Sequence, residues 1–398
     1  RTFLASAVAF AAFGVPRIAT GRERPLRVGV VGGGIIGASV AFHLARAGAE
    51  VTVFERTAPA TGATFNSMGW INPFTRSEHY VALRLLSMAD WRELDVPLQL
   101  GVTWGGSITW GDNAAEADYV RSRAAPLVGK DFPLRNIAAE EFASLSPGMT
   151  PGPVSAAFFA PHDGHVDPVW ATHRFLDHAR HHGAKVLYPC EVLGLDFQRR
   201  RLAGVSTTQG RFALDRLVIA TGVDTPRVLK MAGFDLKLRH APGFVVHTLP
   251  IREFTKLTFD GPRKLEFKQM SSGRIVAGFA QAPPDLAQHL GIRAQAIDFP
   301  EDELRRRHGE RVLAKVREYL PEARGIEVDE VRLGFRPMPM DGHPVVGAVP
   351  QKPDVHVVVT HSGVTLAPIL GRYVTREVLT GALADMLVPY RPLRFTAD

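Results

Sequence analysis

Cysteine is almost absent from this chain. Cys190 is the single one among 398 residues, so no intrachain disulfide can form and no paired-cysteine metal spacing exists. Beyond residue 24 there is no apolar run near the roughly 20 residues that a membrane-spanning helix needs. Internal repeats and low-complexity tracts are missing too. The net charge is +7, yet no basic stripe lies behind it. The one dense run is Arg199-Arg200-Arg201, between Leu195 and Val205, where it reads as a solvated hairpin tip. With no nucleic-acid-binding motif either, no nucleic-acid partner is expected. His178, His181 and His182 share one helix face, with His162, His165 and His173 nearby. No glutamate completes a metalloprotease pattern, so no metal is expected and the face reads as polar and solvated. What remains is ordinary globular composition, 45% hydrophobic and 22% charged, with length for two domains.

The first 24 residues stand apart. Residues 2–15 are apolar, rich in Ala and Phe, and free of acid. An arginine followed by Thr-Phe-Leu-Ala resembles the second half of a twin-arginine export signal, which predicts a periplasmic protein. Arg17 interrupts a small-x-small cleavage pattern before Thr20. The competing reading is an ordinary N-terminal helix on a cytoplasmic protein. Any membrane association would run through this segment, and the fold is expected to begin at residue 25.

The densest signal lies at residues 28–56. Val28, Val30 and Val31 suit a buried parallel strand. Gly32, Gly34 and Gly37 fit G-x-G-x-x-G: the first allows the tight turn, the second lets backbone approach a pyrophosphate, the third lets the following helix sit close to the sheet. The helix N-terminus offers free N–H groups and a positive dipole end to phosphates. A second strand at 51–54 ends in Glu55, close to the ~20 positions expected beyond Gly32 for an acid that accepts from a ribose diol. Strand, turn, helix, strand and acid agree on a dinucleotide site.

Downstream, the patterning predicts helices at 78–94, 114–128, 138–145, 169–182, 301–319 and 369–380. Strands are expected at 103–110, 184–187 and 355–359, a meander over 191–222, and strands over 240–280 with Gly273 in a hairpin. The last strand–turn–helix mirrors the first. This alternation predicts an α/β chain in which a Rossmann-like dinucleotide domain (25–75, 149–239 and 331–398) is interrupted by segments (76–148 and 240–330) that build a second, mainly antiparallel sheet.

Six stretches, in this order and spacing, resemble the D-amino-acid oxidase group of FAD-dependent oxidoreductases, which includes glycine oxidase, sarcosine oxidase and D-amino-acid dehydrogenase. They are the fingerprint with Glu55; Gly62-Ala63-Thr64-Phe65-Asn66-Ser67-Met68-Gly69; Asp163-Gly164-His165-Val166-Asp167-Pro168; Ala220-Thr221-Gly222; Gly334-Phe335-Arg336-Pro337 with Asp341-Gly342; and His361-Ser362-Gly363-Val364-Thr365-Leu366-Ala367-Pro368. The likeness spans roughly residues 26–385. It implies FAD held without a covalent link. Gly32, Gly33, Gly34, Ile36 and Gly37 would cradle the pyrophosphate, and Glu55, with Arg56 beside it, would bind the adenosine ribose. Val192 would meet the adenine end, with Thr221 and Gly222 also near the dinucleotide. Thr64, Asn66, Ser67, Met68 and Gly69 would run along the isoalloxazine. Gly363, Val364, Thr365 and Leu366 would start a helix facing the flavin N1–C2=O edge, where a helix N-terminus suits an anionic reduced flavin.

The implied activity is oxidation of the C–N bond of an amino acid or related amine by hydride transfer to flavin N5, giving an imine that hydrolyses. Arg336 stands where the family grips the substrate carboxylate, and a guanidinium does so bidentately. His361 would lie beside the flavin. The family usually adds a tyrosine or histidine from the antiparallel sheet; that region offers His247, Phe259, Phe267 and Lys268 and no tyrosine. Met338 and Met340 flank Pro339 near Arg336 and read as core or as cavity lining. No cysteine stands near Pro337, where covalent sarcosine oxidases carry one. Residues 274–278 read Arg-Ile-Val-Ala-Gly, without the oxygen-activating lysine of those enzymes. The acceptor therefore stays open between oxygen, a quinone and a carrier protein, and a folded exported flavoprotein would need the twin-arginine route. Two other readings compete: an NAD-dependent dehydrogenase, against which the 361–368 turn argues, and a non-catalytic FAD-binding subunit, against which Arg336 argues.

Overall fold

A computed structural model describes residues 24–280 and 302–396. The expected targeting segment lies outside the described residues except for Arg24, and so does the first residue of the helix expected at 301–319. Arg24 and Arg27 both pair with Asp215, which fixes the start of the fold.

Arg27–Val31 forms the third strand from one edge of a six-stranded sheet. The order is Lys185–Leu187, Glu50–Phe54, Arg27–Val31, Arg216–Ile219, Lys352–Val359, Val345–Val349. All neighbours are parallel except the last pair. Val28, Val30, Val51, Val53, Leu217, Val218, Val355 and Val357 are fully or almost fully buried. Such continuous apolar runs mark a sheet covered on both faces. The chain leaves Arg27–Val31 for Glu50–Phe54 on one side, while Arg216–Ile219 arrives much later on the other. The order reverses there, and a crevice opens beyond the C-terminal strand ends.

The second large sheet has eight strands, in the order Val328–Phe335, Pro242–Thr248, Ile275–Phe279, Leu265–Gln269, Thr258–Gly261, Ser107–Gly111, Ala156–Ala160, Arg135–Asn136. It is antiparallel apart from the Thr258–Gly261 and Ser107–Gly111 pair. The Asp302–Tyr319 helix supplies Val312, Leu313 and Val316 to a core with Phe244, Phe259 and Phe267. Ala156–Ala160, which the expected boundary gives to the dinucleotide side, pairs in this sheet. Conversely, the Glu78–Leu98 helix, expected on the substrate side, packs Leu83, Met88, Trp91 and Leu94 into the core that holds Val28 and Val30. The arginine run is a hairpin tip: Arg199 and Arg200 both have positive φ between Val192–Gln198 and Arg201–Thr207.

The last long helix runs over Gly363–Thr380, with Pro368 inside it; it starts at Gly363, as the family resemblance implies, and not at 369, as local patterning implies. Proline has no N–H for the carbonyl four residues earlier. That carbonyl, Val364 O, instead accepts from the buried Trp91 Nε1 at 3.0 Å. The Ser87 hydroxyl donates to Thr365 O at 2.6 Å, and Ser39 Oγ to Ala367 O at 2.8 Å. The Trp91 indole thus takes the place of the one backbone bond that Pro368 cannot make, and the two serines tie neighbouring carbonyls of the same helix to two other helices.

Trp91→Phe keeps most of the ring but orphans Val364 O, and costs about 1–3 kcal/mol of stability. In a Pro368→Ala background the new backbone N–H reaches that oxygen, so the same substitution costs less there. Thermal unfolding of the four-protein cycle measures this, and equal costs in both backgrounds would refute it.

Candidate active site

The crevice at the strand ends holds a cavity of about 230 Å3. Val31 and Gly32, Glu55 and Arg56, Ala220 and Thr221, and Thr360 and His361 line it, each pair from the end of a different parallel strand. Gly32 has φ 105°, and a Cβ there would stand 2.5 Å from Ala220 O. A Cβ on Gly37 would come within 2.0 Å of Gly32 O, so the helix sits against the turn only with glycine at that place. Thr64 Oγ1 accepts from the Ile35 N–H at 3.0 Å and pins the loop over the helix start. Glu55 Oε2 accepts from the Gly33 N–H at 2.8 Å, and its Oε1 from the Thr57 N–H at 2.9 Å. The N-termini of Ile35–Arg46 and Gly363–Thr380 both open onto this cavity. Ser67 Oγ, on its wall, is buried and lacks a hydrogen-bond partner among the described residues. N–H donors at two positive helix ends, a fixed carboxylate and an unpaired hydroxyl suit a dinucleotide: donors for the pyrophosphate, an acceptor for the ribose.

A second cavity, about 410 Å3, meets the first at Ser67, Pro337, His361 and Val364, which line both. Its wall carries Arg84, Arg123, Arg336, Tyr80, Tyr119 and Glu266. Arg336 donates to Ala280 O at 2.8 Å and Pro242 O at 3.2 Å and makes no ion pair among the described residues. Arg84, buried, donates to Asn72 O, Asn72 Oδ1 and Ser362 Oγ, again with no carboxylate. Burial pushes both guanidiniums below their ordinary range. Arg123 differs: burial pulls it down, but Asp260, 2.5 Å away, together with Tyr119 and Glu266, holds it above that range. His361 is exposed to the cavities it lines but deep in the molecule. Burial, then Arg336 and Arg84, push its imidazole down to about 4, so the ring is neutral at pH 7.

A family model described as FAD dependent oxidoreductase (DAO) matches residues 27–377. The chain belongs to this family. It is an FAD-dependent amine or amino-acid oxidoreductase. It is 25% identical over 371 residues to glycine oxidase of Bacillus licheniformis, covering 88% of this chain and 92% of that one. The solved glycine oxidase from Geobacillus kaustophilus superposes with a TM-score of 0.82 at 23% identity, over 94% of this chain and 100% of the other. L-proline dehydrogenase from P. horikoshii superposes with a TM-score of 0.81 at 23% identity, over 94% and 98%.

Most of the sequence-derived residues line these two cavities. Gly32, Gly34, Ile36, Glu55, Arg56, Thr64, Val192, Thr221, Gly222 and Gly363 line the first cavity; Asn66, Met68, Gly69, Thr365 and Arg336 line the second; Ser67, Val364 and His361 line both. Three do not reach either wall. Gly33 gives its N–H to Glu55, Gly37 is consumed by packing on Gly32, and Leu366 is buried in the core with its N–H donated to Ser362 O. Met338 lines the second cavity, whereas Met340 is exposed. The residues offered from the sheet miss it. Phe259 and Phe267 stack on each other at 4.8 Å in the core on the far side, and His247 and Lys268 open onto a different cleft. The tyrosines come from helices instead: Tyr80 from Glu78–Leu98 and Tyr119 from Ala114–Ala124. Tyr80, Arg84, Ser87 and Trp91 follow one another at helical spacing and are all buried. An arginine on a buried stripe was the signal that could have been read.

The expected absence of lysine from residues 274–278 holds for that strand, but the adjacent one supplies Lys268. Its ammonium is buried, donates to Val166 O at 3.0 Å, and lies 3.1 Å from where a Gly69 Cβ would stand. Burial pushes it down to about 7 against an ordinary 10.5, with Asp167 opposing. Between those values the unfolded chain binds more protons than the folded one, so this group adds stability as pH rises. Relative to Lys268→Met, the wild type gains up to about 1.4 kcal/mol per pH unit between pH 7 and 10. Denaturant unfolding at pH 7, 8.5 and 10 measures this, and a pH-independent difference would refute it.

Proposed function

We propose that this enzyme oxidises a small amino acid, with the substrate carboxylate held by Arg336 and backed by Arg84, and with FAD bound non-covalently along the first cavity. The observation that carries this reading is the pair of unpaired guanidiniums on one wall. One buried and one half-buried cation, neither with a carboxylate in contact, favour an anionic guest, and a planar fork orients a carboxylate on two N–H groups. Arg336 has bonds to two carbonyls that fix its plane and leave further N–H groups for a ligand. Bound FAD accepts a hydride from the carbon that bears the nitrogen. The chain's own part is to hold the carboxylate, place that carbon at the junction by Ser67 and His361, and keep a neutral imidazole there. Pro337 stands at the junction, and the single thiol, Cys190, lines the first cavity beside Val192, the end assigned to the adenine; this supports a dissociable cofactor.

Oxygen is the acceptor favoured by Lys268. Its reduction builds negative charge, and an ammonium next to Gly69 is placed to balance it. Export through the N-terminal segment remains part of this reading on the composition of residues 2–15 alone.

The test is anaerobic bleaching of the purified yellow protein over glycine, sarcosine, D- and L-alanine and D- and L-proline. A flavin that none of them bleaches overturns the reading. Arg336→Ala keeps its flavin but raises KM for the best substrate by the equivalent of about 2–5 kcal/mol, and Arg336→Lys does not restore it. Unchanged kinetics in Arg336→Ala would assign the arginine to structure.

A further inference from the structure

A carboxyl group also faces the substrate cavity. Among the described residues Glu266 is the one acid on its wall. It sits on Leu265–Gln269, with Asp260 directly opposite on one neighbouring strand and Gly278 directly opposite on the other. Gly278 has no side chain, so that flank of the carboxyl is uncovered and open to the cavity. A Cβ there would strike Phe244 O at 2.6 Å, which keeps the flank open. Asp260 is engaged by Arg123, whereas no ion pair or hydrogen bond is found for Glu266 among the described residues.

The charges around it are Asp260 opposite, Arg123 from Ala114–Ala124, Arg84 from Glu78–Leu98, Arg336 beyond Val328–Phe335, and Lys268 two positions along its own strand. Tyr80, Tyr119 and His361 complete the titratable lining. Burial, then Asp260, raise the Glu266 carboxyl well above the usual carboxylate range, with Arg123, Arg336 and Arg84 opposing. An amino acid enters from water as a zwitterion. Its carboxylate suits Arg336, but its ammonium adds another cation to a wall that already holds three guanidiniums. Oxidation at the carbon also needs the nitrogen lone pair, which an ammonium lacks.

We propose that Glu266 is the catalytic base that takes the proton from the substrate's ammonium while Arg336 holds the carboxylate. The step is one proton transfer: an N–H bond breaks, an O–H bond forms on a Glu266 carboxyl oxygen, and the electron pair stays on nitrogen. No oxidant or reductant enters it. This assignment rests on the amino-acid reading above. It explains why a lone acid stands uncovered among arginines, and it makes the substrate an amine protonated in solution.

The test is the rate of anaerobic flavin reduction in the FAD-loaded enzyme from pH 6 to pH 10, with the fastest-bleaching member of the panel named above. Glu266→Gln lowers the rate about 10²–10³-fold at pH 7, within the range for a lost general base. The deficit shrinks to within about 3-fold by pH 10, where the amine is neutral without help. Glu266→Asp falls between and keeps an acid limb. Binding of acetate or glycolate, read from the flavin spectrum, changes less than about 3-fold, because neither carries an amine. A Glu266→Gln enzyme as fast as wild type at pH 7, or one whose deficit is the same at every pH, overturns the assignment. If Glu266→Gln fails to load flavin, Glu266→Asp decides: a pH profile superposable on wild type overturns it as well. Wild-type enzyme that no amino acid bleaches instead defeats the underlying reading, so the two failures are distinct.

Discussion

Ser39 and Gly371 set how closely the two long helices of the cofactor side approach. A Cβ on Gly371 would stand 2.4 Å from Ser39 Oγ and 2.7 Å from the His43 ring. Ser39 Oγ meanwhile donates to Ala367 O on the partner helix. This contact brings Ile35–Arg46 and Gly363–Thr380 together, and their N-termini reach one cavity, with Gly363 against Ile35 and Ile36. Residues far apart in the chain thereby present two positive helix ends to one space. A dinucleotide with a pyrophosphate at its middle and a reducible ring at one end can engage both. The first half of the site is written before residue 56 and the second after residue 360, and the packing of the two helices joins them.

The other sheet contributes charge. Its face toward the cofactor side carries Asp260, Glu266 and Lys268, while its opposite face buries Phe259 and Phe267. Alternation along a strand separates the two sets. Arginines from Glu78–Leu98, Ala114–Ala124 and the end of Val328–Phe335 then close over the acids. Only Asp260 finds a cation in contact, so the unmatched charges face the place where a zwitterion enters.

The glycine fingerprint, Glu55 and the 361–368 turn were legible because each is a contiguous run whose chemistry depends on backbone shape. Arg336 was legible through its neighbours Gly334, Phe335 and Pro337. Arg84, Arg123, Tyr80 and Tyr119 were not, because each sits in a helix whose local pattern says nothing of the wall it will reach. Pro368 misled for a different reason. Proline argues for a helix boundary locally, and only the distant Trp91 indole reverses that. Glu78–Leu98 likewise serves two places, joining a core built from strands at both ends of the chain while Tyr80 and Arg84 line the substrate cavity.

Backbone, more than side chains, sets the floor of the substrate cavity. A Cβ on Gly334 would meet Asn66 Cβ at 2.4 Å, and one on Gly243 would lie 3.0 Å from an Arg336 guanidinium nitrogen. Gly243 lets the guanidinium lie against Pro242–Thr248, where Pro242 O takes one of its N–H groups. A larger residue at Gly243 would press on the arginine plane before it narrowed the cavity. Charge then discriminates among guests that fit, because an uncharged molecule of the same size gains nothing from Arg336 and leaves its unpaired N–H groups without a partner.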